Sequence, residues 1–175
     1  MTQHAILTAI GTDRPGLVDE VSEFIFQRGG NIEDSRMVNL RGQFAIMVLV
    51  AGSEQTLGRV RSEVWQLSQK SGLQADLRPA TAATAAVAEA IPYQLKATAI
   101  DQPGLVHRFS HLLRGLQVNI ESLETQLAPA PITGAPLFEM EMVLSVPRST
   151  SISKMKEELG RLCDELNIDW ELKGV

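Results

Sequence analysis

Two short turns carry the residues whose types and spacing suit chemistry. They are Asp13-Arg14-Pro15-Gly16 and, 88 positions later, Asp101-Gln102-Pro103-Gly104. Each sits where a β-prone apolar run gives way to helical spacing. A helix start offers unpaired N–H groups and a partial positive charge, which suits a carboxylate or a phosphate. Gly16 and Gly104 remove the side chain that would block a close approach. Asp13 or Asp101 can pair with an ammonium group, and Arg14 can meet an anionic ligand or partner. Asn31 and Asn119 open the next predicted strand, where they are expected close to the same turns, and an amide both donates and accepts hydrogen bonds. Asp13, Arg14, Gly16 and Asn31 in one half, with Asp101, Gly104 and Asn119 in the other, thus outline a ligand-binding site for a small zwitterion such as an amino acid. A structural reading of the same residues stays open: Asp and Pro start a helix, Asn tolerates a tight turn, and a fold inherited twice repeats its turns.

Other reactive residue types point to structure. His107 and His111 have the i, i+4 spacing that can place two metal ligands on one helix face, but no third ligand is matched to them, so a solvated helix face is expected. Cys163 lies on the apolar stripe of Met155, Leu159, Leu162 and Leu166, as a buried, inert thiol would. As the single cysteine it rules out an intrachain disulfide or a cysteine metal cluster. Met37, Met47, Met140 and Met142 fall in predicted strands and read as core. No phosphate-binding loop, nucleophile elbow or metal motif is present, so no enzyme activity and no cofactor are expected. The 16 basic and 21 acidic residues leave a net charge of −5, a poor basis for contacting the phosphates of DNA or RNA. No apolar run approaches the roughly 20 residues that span a bilayer. The N-terminus lacks the basic region of a signal peptide, so a cytoplasmic location is expected.

The elements that position these turns come in two copies. Asp13, Pro15, Gly16, Leu17 and Val18 recur as Asp101, Pro103, Gly104, Leu105 and Val106, and Asn31-Ile32-Glu33 recurs as Asn119-Ile120-Glu121. In the first half the pattern predicts strand 3–11, helix 16–28, strands 31–40 and 43–51 around a tight Arg41-Gly42 turn, helix 54–71 and strand 73–78. In the second it predicts strand 92–100, helix 104–115, strand 118–127, a longer loop 128–136, strand 137–146, helix 152–166 and strand 168–173. The order βαββαβ, twice, defines an α+β chain of two ferredoxin-like domains, 1–79 and 92–175. Each has a four-stranded antiparallel sheet with two helices on one face. The Ala/Thr-rich segment 80–91 reads as a linker whose alanines can form a short helix. The run AIMVLV (Ala45 to Val50) is apolar on both strand faces and predicts burial on both sides, between halves or between subunits.

The D-R-P-G-L-V turn after a strand, N-I-E at the next strand and the βαββαβ order resemble an ACT domain. Two such units, with the long second-half hairpin APAPITGAPLFEMEM, resemble the glycine cleavage system transcriptional repressor family. The resemblance implies an amino-acid-sensing regulatory protein, with glycine or a similar small amino acid bound near the first strand-to-helix turn. It implies indirect control of transcription through a protein partner such as a DNA-binding regulator, and a homodimer. A structural interaction module without a small ligand, or a regulatory subunit of a metabolic enzyme, stays open as an alternative.

Overall fold

The computed structural model describes residues 2–80, 89–130 and 134–175. The chain divides into two units, Met1–Ala82 and Ala83–Val175. Most of the predicted linker, and any helix formed by its alanines, lies outside the described residues.

The first unit runs β1 (Gln3–Thr12), α1 (Leu17–Gln27), β2 (Asn31–Leu40), β3 (Gln43–Gly52), α2 (Glu54–Ser71) and β4 (Gln74–Pro79). Its sheet has the order β2-β3-β1-β4, every neighbouring pair antiparallel. The second unit repeats this with β5 (Ala90–Ile100), α3 (Leu105–Gly115), β6 (Asn119–Pro129), β7 (Pro136–Pro147), α4 (Ile152–Leu166) and β8 (Asp169–Gly174). Its sheet order is β6-β7-β5-β8. Both units are ferredoxin-like. Strand β5 begins at Ala90, inside the predicted linker, because Ala90 and Ile91 continue the ladder opposite Pro147 and Val146.

Local chemistry accounts for the element ends. The hairpin between β2 and β3 turns on Arg41 (φ 49°) and Gly42 (φ 79°), the two positive φ values of the turn that matches strand twist. Helices α2 and α4 are capped by Ser53 and Ser151, whose side chains accept from the Thr56 and Lys154 amides. Helices α1 and α3 start instead at Gly16 and Gly104, both left-handed (φ 94° and 92°), with no side-chain cap.

Each sheet packs one face on its helices. In unit 1, Leu7, Val48, Val50 and Phe44 meet Leu17, Ile25, Val60 and Leu67. In unit 2, Leu95, Met142 and Leu144 meet Phe109, Leu113, Met155 and Leu159. Each such side chain contributes about 1.5–3 kcal/mol by leaving water. The core of unit 1 buries one face of AIMVLV, and the other is the outer face of its sheet. Ile46, Val48 and Val50 are buried, whereas Met47 is 53% exposed and Ala45 and Leu49 are half-buried. Met37 is likewise exposed, because all of β2 lies at the sheet edge and is exposed along its length.

The repeated N-I-E motif marks a bulge in both units. The ladder slips between Ile32 and Asp34, and again between Ile120 and Ser122, leaving Glu33 and Glu121 as the extra residues. Glu33 then accepts from His4 Nε2 at 2.9 Å, and Glu121 accepts from Asn119 Nδ2 at 2.7 Å.

Cys163 is buried among Met155, Leu159 and their neighbours. Burial, with a smaller push from the Asp164 charge, raises its thiol from an ordinary 9.0 to about 11. The unfolded thiol loses its proton first, so this group makes the fold less stable as pH rises from about 9 toward about 11, by about 2–3 kcal/mol in total. Urea denaturation across that range is expected to show the extra loss in the wild type and not in Cys163→Ala.

Candidate functional site

The first strand-to-helix turn of unit 1 borders a cleft of about 500 Å³ on the helix side of the sheet. Residues Asp13 to Asp19 form one wall, Asn39 forms the other, and Met37 and Phe44 form an apolar floor. The helix start is open to it. The Glu20 amide donates to the Gly16 carbonyl at 2.9 Å, closing the first helical bond, so the amides of Leu17, Val18 and Asp19 precede the intrahelical ladder.

Asp13 is fixed from two sides. Its amide donates to the Gly42 carbonyl at the hairpin tip, at 2.8 Å. Its carboxylate accepts from Asn39 Nδ2, and the Asn39 Oδ1 in turn accepts from the Gly42 amide at 3.2 Å. The turn, the end of β2 and the hairpin are thus one hydrogen-bonded unit.

Arg14 is engaged by the fold. It donates to both Glu20 carboxylate oxygens at 2.8 Å, to the Ser71 carbonyl at the end of α2 at 3.2 Å and to the Pro15 carbonyl at 3.3 Å. Four of the five guanidinium N–H donors are used this way. The forked hydrogen bond from Arg14 holds the Glu20 carboxyl below its usual range, and Glu20 raises Arg14 in return. The cleft wall therefore presents Asp13 and Asp19 carboxylates while its one basic side chain is already paired, so an ammonium group suits this wall better than a lone anion.

Asn31 does not share this cleft. It pairs with Ala51 near the start of β1, whereas the turn follows Thr12, which pairs with Gln43 at the other end of the sheet. The reason is the helix between them: 11 residues at about 1.5 Å each return the chain roughly 16 Å along the sheet before β2 begins. Asn39, at the far end of β2, occupies the place expected of Asn31. Asn119 is displaced in the same way, pairing with Ser145, while the Asp101 turn follows Ile100, opposite Leu137. Gly16 also has a different role from the expected one. A Cβ there would meet nothing closer than 4.0 Å, so the glycine serves its left-handed φ of 94° rather than clearance.

Unit 2 keeps the backbone of this arrangement and changes the side chains. The Asp101 amide donates to the Pro136 carbonyl at 3.2 Å, as Asp13 does to Gly42, and Gly104 has the same left-handed φ as Gly16. By the 88-residue offset, Gln102 stands for Arg14, Arg108 for Glu20, His107 for Asp19 and Leu127 for Asn39. Arg108 pairs with Glu165 of α4 at 2.8 Å. The ring centroids of His107 and His111 lie 5.9 Å apart. Among the described residues no group of three or more His, Cys, Asp or Glu side chains could hold a metal ion, and no helix is long and apolar enough to cross a membrane.

Comparison with known proteins finds a family match for the first unit and likenesses for the whole chain. The ACT domain family model matches residues 3–78, the span of unit 1 from β1 to β4. The chain is 28% identical to the glycine cleavage system transcriptional repressor of Escherichia coli (strain K12) over 175 residues, covering 99% of this chain and 92% of that protein. A crystal structure of a protein of unknown function from Galdieria sulphuraria superposes with a TM-score of 0.82 at 28% identity, covering 100% of this chain and 99% of the other. A crystal structure ascribed to a glycine cleavage system transcriptional repressor superposes with a TM-score of 0.71 at 28% identity, covering 100% and 98%.

The Arg14–Glu20 pair has a pH signature. Glu20 titrates below its usual range when folded, so its contribution is fully present above that range and fades as pH falls through the lowered value. Arg14→Gln, which places the unit 2 residue in unit 1, is expected to lower the urea midpoint at about pH 7. The gap between variant and wild type is expected to narrow as pH falls below the usual carboxylate range.

Proposed function

We propose that this chain is a regulatory protein that senses a small amino acid in the unit 1 cleft and signals through a protein partner. The observation that carries the reading is the Asp13 carboxylate, held in place by Asn39 beside uncapped helix amides and over an apolar floor. A zwitterion matches all three parts. Its ammonium group pairs with Asp13, its carboxylate takes the open amides of α1, and a short side chain rests on Met37 and Phe44. Glycine fits the polar parts and leaves the floor unfilled; alanine, serine or valine fills more of it. In unit 2 the Asp101 turn keeps its glycine but has Leu127 where Asn39 stands, so sensing is assigned to unit 1.

Similarity to a glycine cleavage system transcriptional repressor along the full length supports a role in controlling genes of amino-acid metabolism. The net charge of −5 supports an indirect route, through a DNA-binding regulator rather than through contact with DNA. The reading places the protein in the cytoplasm.

The test is a thermal-shift screen of the whole chain against the twenty amino acids. A ligand at 100 times its dissociation constant adds about 2.7 kcal/mol, which raises the midpoint by roughly 5–10 °C. The shift is expected to vanish in Asp13→Asn and Asn39→Ala and to persist in Asn31→Ala. A ligand that shifts Asn39→Ala as strongly as the wild type binds elsewhere.

A further inference from the structure

The outer face of the unit 1 sheet, the face away from its helices, is apolar at the centre and charged at both edges. Ile6 and Ile10 of β1 and Ala45, Met47 and Leu49 of β3 form the centre, with Ile10 50% and Met47 53% exposed. Two cross-strand rows order the charges. One row reads Asp34–Leu49–Ile6–Arg78 across β2, β3, β1 and β4, and the next reads Arg36–Met47–Thr8–Asp76. Each edge thus carries one acid and one base, but in opposite order. Arg36 pairs with Asp34 along β2, and Arg78 pairs with Asp76 along β4, all four side chains being more than half exposed.

We propose that a second copy of this chain docks face to face on this sheet, about a two-fold axis parallel to the strands. That axis lays β2 over the partner's β4 and β3 over the partner's β1. Asp34 then faces the partner's Arg78, and Arg36 faces the partner's Asp76, twice over by symmetry. The apolar rows meet between them, Leu49 against the partner's Ile6 and Ala45 against the partner's Ile10. An axis perpendicular to the strands instead sets β2 over the partner's β2, where Arg36 meets Asp34 or Arg36 and never Asp76, so the mixed dimer of the test below restores opposite charges only about the parallel axis. Strands spaced about 4.8 Å and rising about 3.3 Å per residue give a four-stranded face of roughly 19 by 33 Å. That flat area, roughly 600 Å² per copy, approaches the roughly 800 Å² per partner of a standard stable interface.

The corresponding face of unit 2 is built against such pairing. Its matching rows read Glu124–Glu141–Lys96–Glu171 and Gln126–Glu139–Thr98–Asp169. The same two-fold operation there sets Glu124 against the partner's Glu171. The inference is independent of what the cleft binds.

The experiment is sedimentation and native mass spectrometry of the full chain. The wild type is expected to dimerise in a concentration-dependent way. Arg36→Asp alone and Asp76→Arg alone each place like charges at both edges of the dimer, and each is expected to weaken dimerisation at least about tenfold. Both positions are exposed, and circular dichroism is expected to show both variants folded. Mixing the two variants restores opposite charges at both edges, so a mixed dimer is expected where neither variant dimerises alone. A wild type that stays monomeric, single variants that dimerise as the wild type does, or a mixture that forms no mixed dimer would each overturn the proposal.

Discussion

A backbone hydrogen bond from the first turn to the hairpin opposite it holds that end of each unit together. In unit 1 the Asp13 amide reaches the Gly42 carbonyl, and in unit 2 the Asp101 amide reaches the Pro136 carbonyl. Because the bond uses only main-chain atoms, it survives the exchange of nearly every side chain around it. The left-handed glycine that follows then aims the helix back across the sheet. Remove that aim, and the open amides of α1, the Asp13 carboxylate and the Met37–Phe44 floor no longer border one cleft. Arg14 reinforces the same corner from below, joining the turn to the end of α2 through Ser71.

The two units show which parts of this corner are architecture and which are chemistry. The anchor bond, the glycine and the bulge after Asn-Ile are common to both. Asn39, Arg14 and Glu20 belong to unit 1 alone, and their counterparts Leu127, Gln102 and Arg108 make a different set of contacts. A carboxylate oriented by an amide differs from one beside a leucine, since only the first is held in a fixed direction. The outer sheet faces divide in the same manner, one apolar with balanced edges and the other rich in glutamate.

Much of the fold was legible in the sequence, because helical spacing, strand alternation and glycine stops report local preferences. The Arg41-Gly42 turn and helices 54–71 and 152–166 follow the predicted bounds. The site was legible only where it is local. Asp13 and Gly16 are adjacent to the helix they start, and so were found. Asn39 was missed because its nearness to Asp13 comes from β1 and β2 running the same way on either side of β3, a relation between residues 26 apart in sequence. Helix length held the clue, since a full helix between turn and strand must carry Asn31 to the far end. The Arg14–Glu20 pair was missed because Arg14 precedes the helix and does not share its i, i+4 geometry. For the outer face of β3 the sequence left halves and subunits open as the cover, because an apolar strand reports that a surface avoids water, not which molecule covers it.

The anchor bonds also differ in where their acceptors lie along the chain. Gly42 is itself a residue of the two-residue hairpin turn, so lengthening that turn displaces the acceptor and pulls on Asp13. Pro136 instead begins β7, after the loop that joins it to β6. The second hairpin can therefore gain or lose residues ahead of Pro136 while its anchor keeps its register. Insertions, tags or grafted recognition sequences have a natural point of entry in one half of this duplicated chain and not in the other.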